Sequence, residues 1–225
     1  MLSRSGEAVH LTNIVIHVAA GSAALAAGFL VLFRQKGTVA HKRLGTTFFC
    51  LALVVCATAA IGTIFFRFLP AFAVLSLLVP YQLMGGLRAA RMQGRGPALI
   101  DGVVLLAAFV IALPLSMEVL LRAGRLTAVD YSAVAALWLV LLYDAAKWAF
   151  PRRWHGSIWR FEHTYKMTAS VFAMLSALVG NVVRVGQPWS QLLPSAMGLV
   201  VIAYFFLRLA RAKHQAPALP GRMDA

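Results

Sequence analysis

The sequence predicts an all-α, polytopic transmembrane bundle of seven helices, with its N-terminus outside and its C-terminus in the cytoplasm. Three observations lead there. Seven continuous apolar runs of roughly membrane-spanning length, about 20 residues, follow one another along the chain. The composition, 61% hydrophobic and 12% charged, is too apolar and too poor in charge to cover a soluble domain. The basic residues gather in alternate loops.

The runs are Leu11–Phe33, Leu44–Phe66, Leu69–Leu87, Leu99–Leu121, Ala128–Phe150, Phe161–Val185 and Leu192–Ala210. None alternates apolar with polar residues, so helices are expected rather than barrel strands. The first follows a short polar stretch, Met1–His10, and is too long for a signal-peptide core. The second and third are joined by the brief segment Phe66–Pro70, which predicts a tight hairpin. The third and fourth contain Pro80 and Pro114, which are expected to kink them. The fifth and sixth are flanked by Trp148, Trp154 and Trp159 at the inner interface, and the seventh is preceded by Trp189 at the outer one. Residues 1–213 are read as one transmembrane domain. The Pro/Gly-rich segment 214–225 is read as a disordered cytoplasmic tail. No internal repeat is visible, and an odd number of helices does not suit a simple inverted duplication.

The net charge of +14 is topological. One side of the bundle collects Arg34, Lys36, Lys42 and Arg43, then Arg88, Arg91 and Arg95, then Lys147, Arg152, Arg153, Arg160 and Lys166, and last Arg208, Arg211, Lys213 and Arg222. The other side holds only Arg4, Arg67, Arg122, Arg125 and Arg184. Basic loops stay in the cytoplasm, so this split orients the chain in a cell inner (plasma) membrane. It also makes anionic membrane lipids natural partners. Nucleic acid is not expected, because no basic stripe lies on a soluble helix. Cys50 and Cys56 have no ligand-like spacing and read as small apolar residues.

Ionisable residues at membrane depth are costly, so each is a candidate for function. In the sixth run, His163, Lys166, Ser170, Ala173, Ala177, Asn181 and Arg184 share one stripe by helical spacing. That stripe is expected to face the bundle, with bulky Val, Phe and Leu turned to lipid. Glu162 and Lys166 are also spaced as an i,i+4 ion pair, with the lysine free to snorkel to the interface. In the first run, His10, Asn13, His17, Ala20, Gly21, Ala24 and Gly28 form a second stripe of polar and small residues. His17 and Asn181 fall at comparable depth, which allows a contact between them. The inner side gathers His41, Tyr143, Asp144, His155, Glu162, His163 and Lys166, with Asp101 near the start of the fourth run. Histidine can ligate haem or a transition metal and can relay protons. His41 with His163 is the pair suited to a bis-histidine haem, since His10 and His17 share a helix. Phosphate-binding, zinc-protease and serine-hydrolase signatures are missing, so nothing in the sequence points to an enzyme.

The segment His17 to Phe49 resembles the opening of a group of uncharacterised bacterial membrane proteins, the domain-of-unknown-function 2306 type. The shared pattern is a His, a Gly/Ala-rich helix, a Lys-Gly turn and a His-basic-x-x-Gly start to the second helix. Here it falls on His17, Gly21, Gly28, Lys36, Gly37, His41, Lys42 or Arg43, and Gly45. The stretch His163 to Asn181 is similar to that family's His-x-x-basic-Met helix, and Gly186–Gln187 to a Gly-Gln turn after it. The resemblance implies a seven-helix bundle and singles out His17, His41 and His163, without implying an activity.

Two classes of function remain open. One is handling of a small molecule, a metal or haem, or protons, as a transporter or redox carrier, through the stripes of the first and sixth helices. Its candidate ligands are His17, His41 and His163, supported by Asp144, Glu162, Lys166, Asn181 and Arg184. The other is a non-catalytic scaffold or assembly component, working as a homo-oligomer or with a membrane partner protein.

Overall fold

The computed structural model describes residues 4–93, 95–121, 126–150 and 158–215. It contains α1 (Arg4–Phe33), α2 (Val39–Ile61), α3 (Pro70–Met92), α4 (Leu99–Leu120), α5 (Ala128–Ala149), α6 (Ile158–Val182) and α7 (Trp189–Gln215). A single π turn, Gly62–Phe66, extends α2. No strand occurs among the described residues.

Each apolar run has become one helix, with ends set by local chemistry that hydropathy does not register. α2 starts before Leu44 because the Thr38 hydroxyl accepts a hydrogen bond from the His41 N–H at 3.2 Å. His41, Lys42 and Arg43 therefore lie in its first turns and not in a loop. α3 opens on Pro70, whose fixed φ suits a first helical position. It runs past Leu87 until Gln93 adopts a left-handed φ of 47°. α6 begins earlier than expected, at Ile158, and ends at Val182. α7 reaches Gln215, into the segment expected as a disordered tail; residues 216–225, like His155 and Trp154, lie outside the described residues.

Six helices are long and apolar enough to cross a membrane: all but α6. The chain is thus a membrane-spanning helical protein. At 1.5 Å per residue, α6 is roughly 38 Å long, enough for a core of about 30 Å. It falls short only in composition, because Arg160, Glu162, His163 and Lys166 lie in its first turns. The reason is its position. α6 packs against α1, α3 and α7 and reaches α5 through ion pairs, so it has no broad lipid face.

This position reverses one expectation. Val171, Phe172 and Met174 of α6 point inward and are buried, not turned to lipid. The first-helix stripe behaves as read: Ala24 and Gly28 are buried, while Val15, Val18 and Leu30 beside it are exposed. Two apolar clusters share α3. Val79 and Leu83 join α1, α2 and α6 in one, and Val74, Leu78 and Tyr81 join α4 and α5 in the other. Of the two cysteines, Cys56 is buried and Cys50 is exposed.

Lipid tails are as apolar as leucine, so helices in a bilayer associate through close packing. A Cβ added at Gly198 of α7 would lie 2.7 Å from the Phe172 Cβ, and one at Gly28 would lie 3.0 Å from Val171. These two glycines let α7 and α1 close onto α6. Gly45 has no such neighbour within 4 Å. Gly198→Ala should therefore destabilise the protein by about 1–3 kcal/mol through overpacking. Gly45→Ala should stabilise it by about 0.5–1 kcal/mol through helix propensity. Thermal unfolding of the two variants in the same detergent checks this, and equal shifts would refute it.

Candidate functional site

The charged residues of α5 and α6 meet where these helices approach the basic end. Asp144 and Lys147 are three apart on α5, and Glu162 and Lys166 are four apart on α6. Each spacing puts its pair on one helical face. The helices run antiparallel, so the two faces interleave into a ring of alternating charge. Lys166 Nζ donates to both Asp144 oxygens at 2.8 Å and to Glu162 Oε1 at 3.0 Å. Lys147 Nζ donates to Glu162 Oε1 at 2.7 Å and lies 3.5 Å from Asp144 Oδ1. The Tyr81 hydroxyl of α3 donates to Asp144 Oδ2 at 2.8 Å. Two carboxylates and two ammonium groups leave the ring neutral.

Lys166 does not snorkel to the interface. It is 0% exposed, and its ammonium lies between the Tyr81 and Tyr143 rings, 5.9 and 5.7 Å from their centroids. Room for it comes from α3. A Cβ on Gly85 would stand 2.8 Å from Lys166 Nζ, and one on Gly86 3.1 Å from Lys166 Cβ. The Gly86 carbonyl also accepts from His163 Nδ1–H at 2.9 Å. A carbonyl can only accept, so this bond assigns the ring proton to Nδ1. The Gly85–Gly86 pair thus seats both Lys166 and His163 of α6.

A second ion pair lies one turn nearer the basic end. Arg88 of α3 pairs with Asp101 of α4 through both carboxylate oxygens; its Nη2 donates to Oδ2 at 2.8 Å. Between α3, α4 and α5 a narrow cleft of about 40 Å³ leads from Arg88 and Asp101 to Asp144 and Lys166. That volume is room for about three or four waters at roughly 10–15 Å³ of occupied space each.

The remaining candidates are spread over both ends. His41, His163 and Lys36 share the region at the basic end. His41 Nδ1 is buried without a hydrogen-bond partner. Lys36 caps α1 by donating to the Val31 and Leu32 carbonyls, each at 3.0 Å. Burial beside α7 and the neighbouring Arg208 charge hold its ammonium below the usual lysine range. His17 is at the opposite end, where its Nδ1 is 2.9 Å from the Thr58 hydroxyl. Asn13 donates to the Thr58 carbonyl at 3.1 Å. The envisaged contact of His17 with Asn181 is not made: Asn181 is exposed and donates to Ala177 of its own helix. Arg184 is exposed beyond the end of α6. The three histidines do not converge on one cavity. Among the described residues no three His, Cys, Asp or Glu side chains form a metal-binding group.

Of the residues marked from sequence, the structure unites Asp144, Glu162 and Lys166. Asp101 was also noted there, without its partner; Tyr81, Lys147, the Gly85–Gly86 pair and Arg88 were not marked as a site. Lys147 had a visible signal, since it follows Asp144 by one helical turn. No family model matches the chain, no curated protein matches it and no solved structure matches it.

Removing one member of a buried ion-pair network strands the others. Lys166→Met should therefore destabilise the protein by about 3–5 kcal/mol. Tyr81→Phe deletes one hydrogen bond to a charged group and should cost about 1.5–3 kcal/mol. Denaturant unfolding in micelles measures both. A Lys166→Met protein as stable as wild type would remove the ring from among the fold's supports.

Proposed function

We propose that this chain is a proton-handling protein of a cell inner membrane, and that the ring of Asp144, Lys166, Glu162 and Lys147 is its proton-binding centre. One observation carries this reading. A wholly enclosed ammonium stands beside two carboxylates, on a helix packed among others that are apolar enough to cross a membrane. Charges at membrane depth are rare, and pairs of them mark proton and ion pathways. The chemistry suits the task. A proton arriving on Asp144 weakens its hold on Lys166 and on the Tyr81 hydroxyl, and Glu162 remains to keep the ammonium paired. The cleft beside Lys166 has room for only a few waters, which favours protons over a larger solute. The histidines are held by Gly86 and Thr58 or stand apart, which favours protons over haem or metal. The charge split between the two ends supports a cytoplasmic basic end. Membership of the domain-of-unknown-function 2306 type, on the residues quoted above, is part of the same proposal.

A scaffold reading is favoured by a different observation: every member of the ring is partnered and the ring is neutral. Such a network can specify which helices pack together without titrating.

Proton flux into liposomes, followed with a trapped pH-sensitive dye under an imposed potential, separates the two. The proton reading expects flux above protein-free liposomes, with at least a tenfold loss in Asp144→Asn and Lys166→Met. Background flux from correctly folded wild type would leave the scaffold reading.

A further inference from the structure

We propose that Arg88 is the movable half of a gate, and that its pairing with Asp101 controls access from the basic end to the ring. This inference rests on the reading of the ring as a proton centre and names how that centre is reached.

The route is drawn by one face of α3. Tyr81, Met84, Gly85 and Arg88 recur at helical spacing and all line the cleft. Tyr81 touches Asp144, and Gly85 leaves the Lys166 ammonium facing α3 without a side chain between them. Arg88 comes one turn later, between the ring and the basic end. Anything moving from that end along this face meets the Arg88–Asp101 bridge before it meets Lys166.

The two halves of the bridge are held differently. Asp101 Oδ2 also accepts from the Ala98 N–H at 2.7 Å, so the carboxylate caps α4 and is fixed by it. Its side chain is 16% exposed, whereas that of Arg88 is 34% exposed. Beyond Asp101, the guanidinium's one hydrogen bond among the described residues is a long 3.7 Å contact with Met92 Sδ of its own helix. Arg88 is thus a long, partly exposed arm resting on a fixed post. Unlike the enclosed ring, this pair is partly exposed on its arginine side, so another partner can replace Asp101 at the guanidinium. The other flank of the cleft is lined by a packed aromatic ring, and no ion pair joins α4 to α5 there among the described residues. The Trp148 ring of α5 lies against Gly102 of α4, where an added Cβ would be 3.0 Å from it. Access therefore depends on the α3–α4 flank, where the closure is ionic.

The test is chemical labelling, which reads access and not transport. In full-length protein with Cys50→Ala and Cys56→Ala, Leu105→Cys places a thiol on the cleft wall one turn below Asp101. Silver ion, a small thiol-reactive cation that does not cross lipid, is added in chloride-free buffer to oriented vesicles from one side at a time. With Arg88 present the thiol should react slowly. Arg88→Ala should speed the reaction at least tenfold, from the basic end only, and Arg88→Lys should leave it slow. An unchanged rate in Arg88→Ala, or equal acceleration from both sides, overturns the gate. Val104→Cys, also on the cleft wall, gives the same readout if Leu105→Cys does not fold. Gated labelling in a protein without proton flux keeps the gate and overturns the proton reading. Flux with ungated labelling does the reverse.

Discussion

The constraint on which this fold depends is the burial of one positive charge. An ammonium in a bilayer interior costs at least about 2.5–3.5 kcal/mol, and Lys166 has no exposure through which to escape that cost. It must be answered within the bundle. Asp144 and Glu162 answer its charge, which holds α5 against α6. Gly85 and Gly86 give it space, which brings α3 against the same face. A helix carrying such a group cannot stand at the lipid boundary, so α6 is enclosed by α1, α3 and α7. The arrangement of the bundle follows from one side chain that would be out of place at its surface.

The two ends of the bundle are built on different principles. At the opposite end, Asn13 and His17 bond to Thr58 across α1 and α2, and the groups involved are neutral partners in a helix contact. At the basic end the groups are ionised and cross-linked through four helices, α3 to α6. The small residues of α1 connect the ends by packing, with Ala24 and Gly28 buried between them. They carry no polar group that could continue the ring's chemistry along α1.

The legibility of these features in the sequence follows the range of the forces behind them. The helices were readable because a bilayer imposes its thickness on every apolar run. Helix ends were not, because Thr38 and Gln93 act through single hydrogen bonds and backbone angles. Asp144, Glu162 and Lys166 could be singled out because a charge in an apolar run is conspicuous on its own. Tyr81, Gly85 and Gly86 acquire meaning only from the helix opposite, and spacing along one helix does not say which helix that is. Arg88 and Asp101 looked like membrane-edge charges because their pairing crosses a loop. The faces of α6 were misjudged for a related reason. Assigning a polar stripe inward and bulky residues outward presumes a helix with one lipid side, and an enclosed helix has none.

The enclosure of α6 has a bearing on how the protein is made. Helices enter a membrane in the order of synthesis, and the chain emerges from its N-terminus. α6 is the one described helix whose composition does not commit it to lipid by itself. By the time it leaves the ribosome, α3 and α5 have already been delivered, and with them the glycine seat and the Asp144 carboxylate that its lysine requires. α7 follows and covers the face still open. Chain order thus supplies the counter-charge before the charge, and the least lipid-soluble segment is inserted as a client of its predecessors.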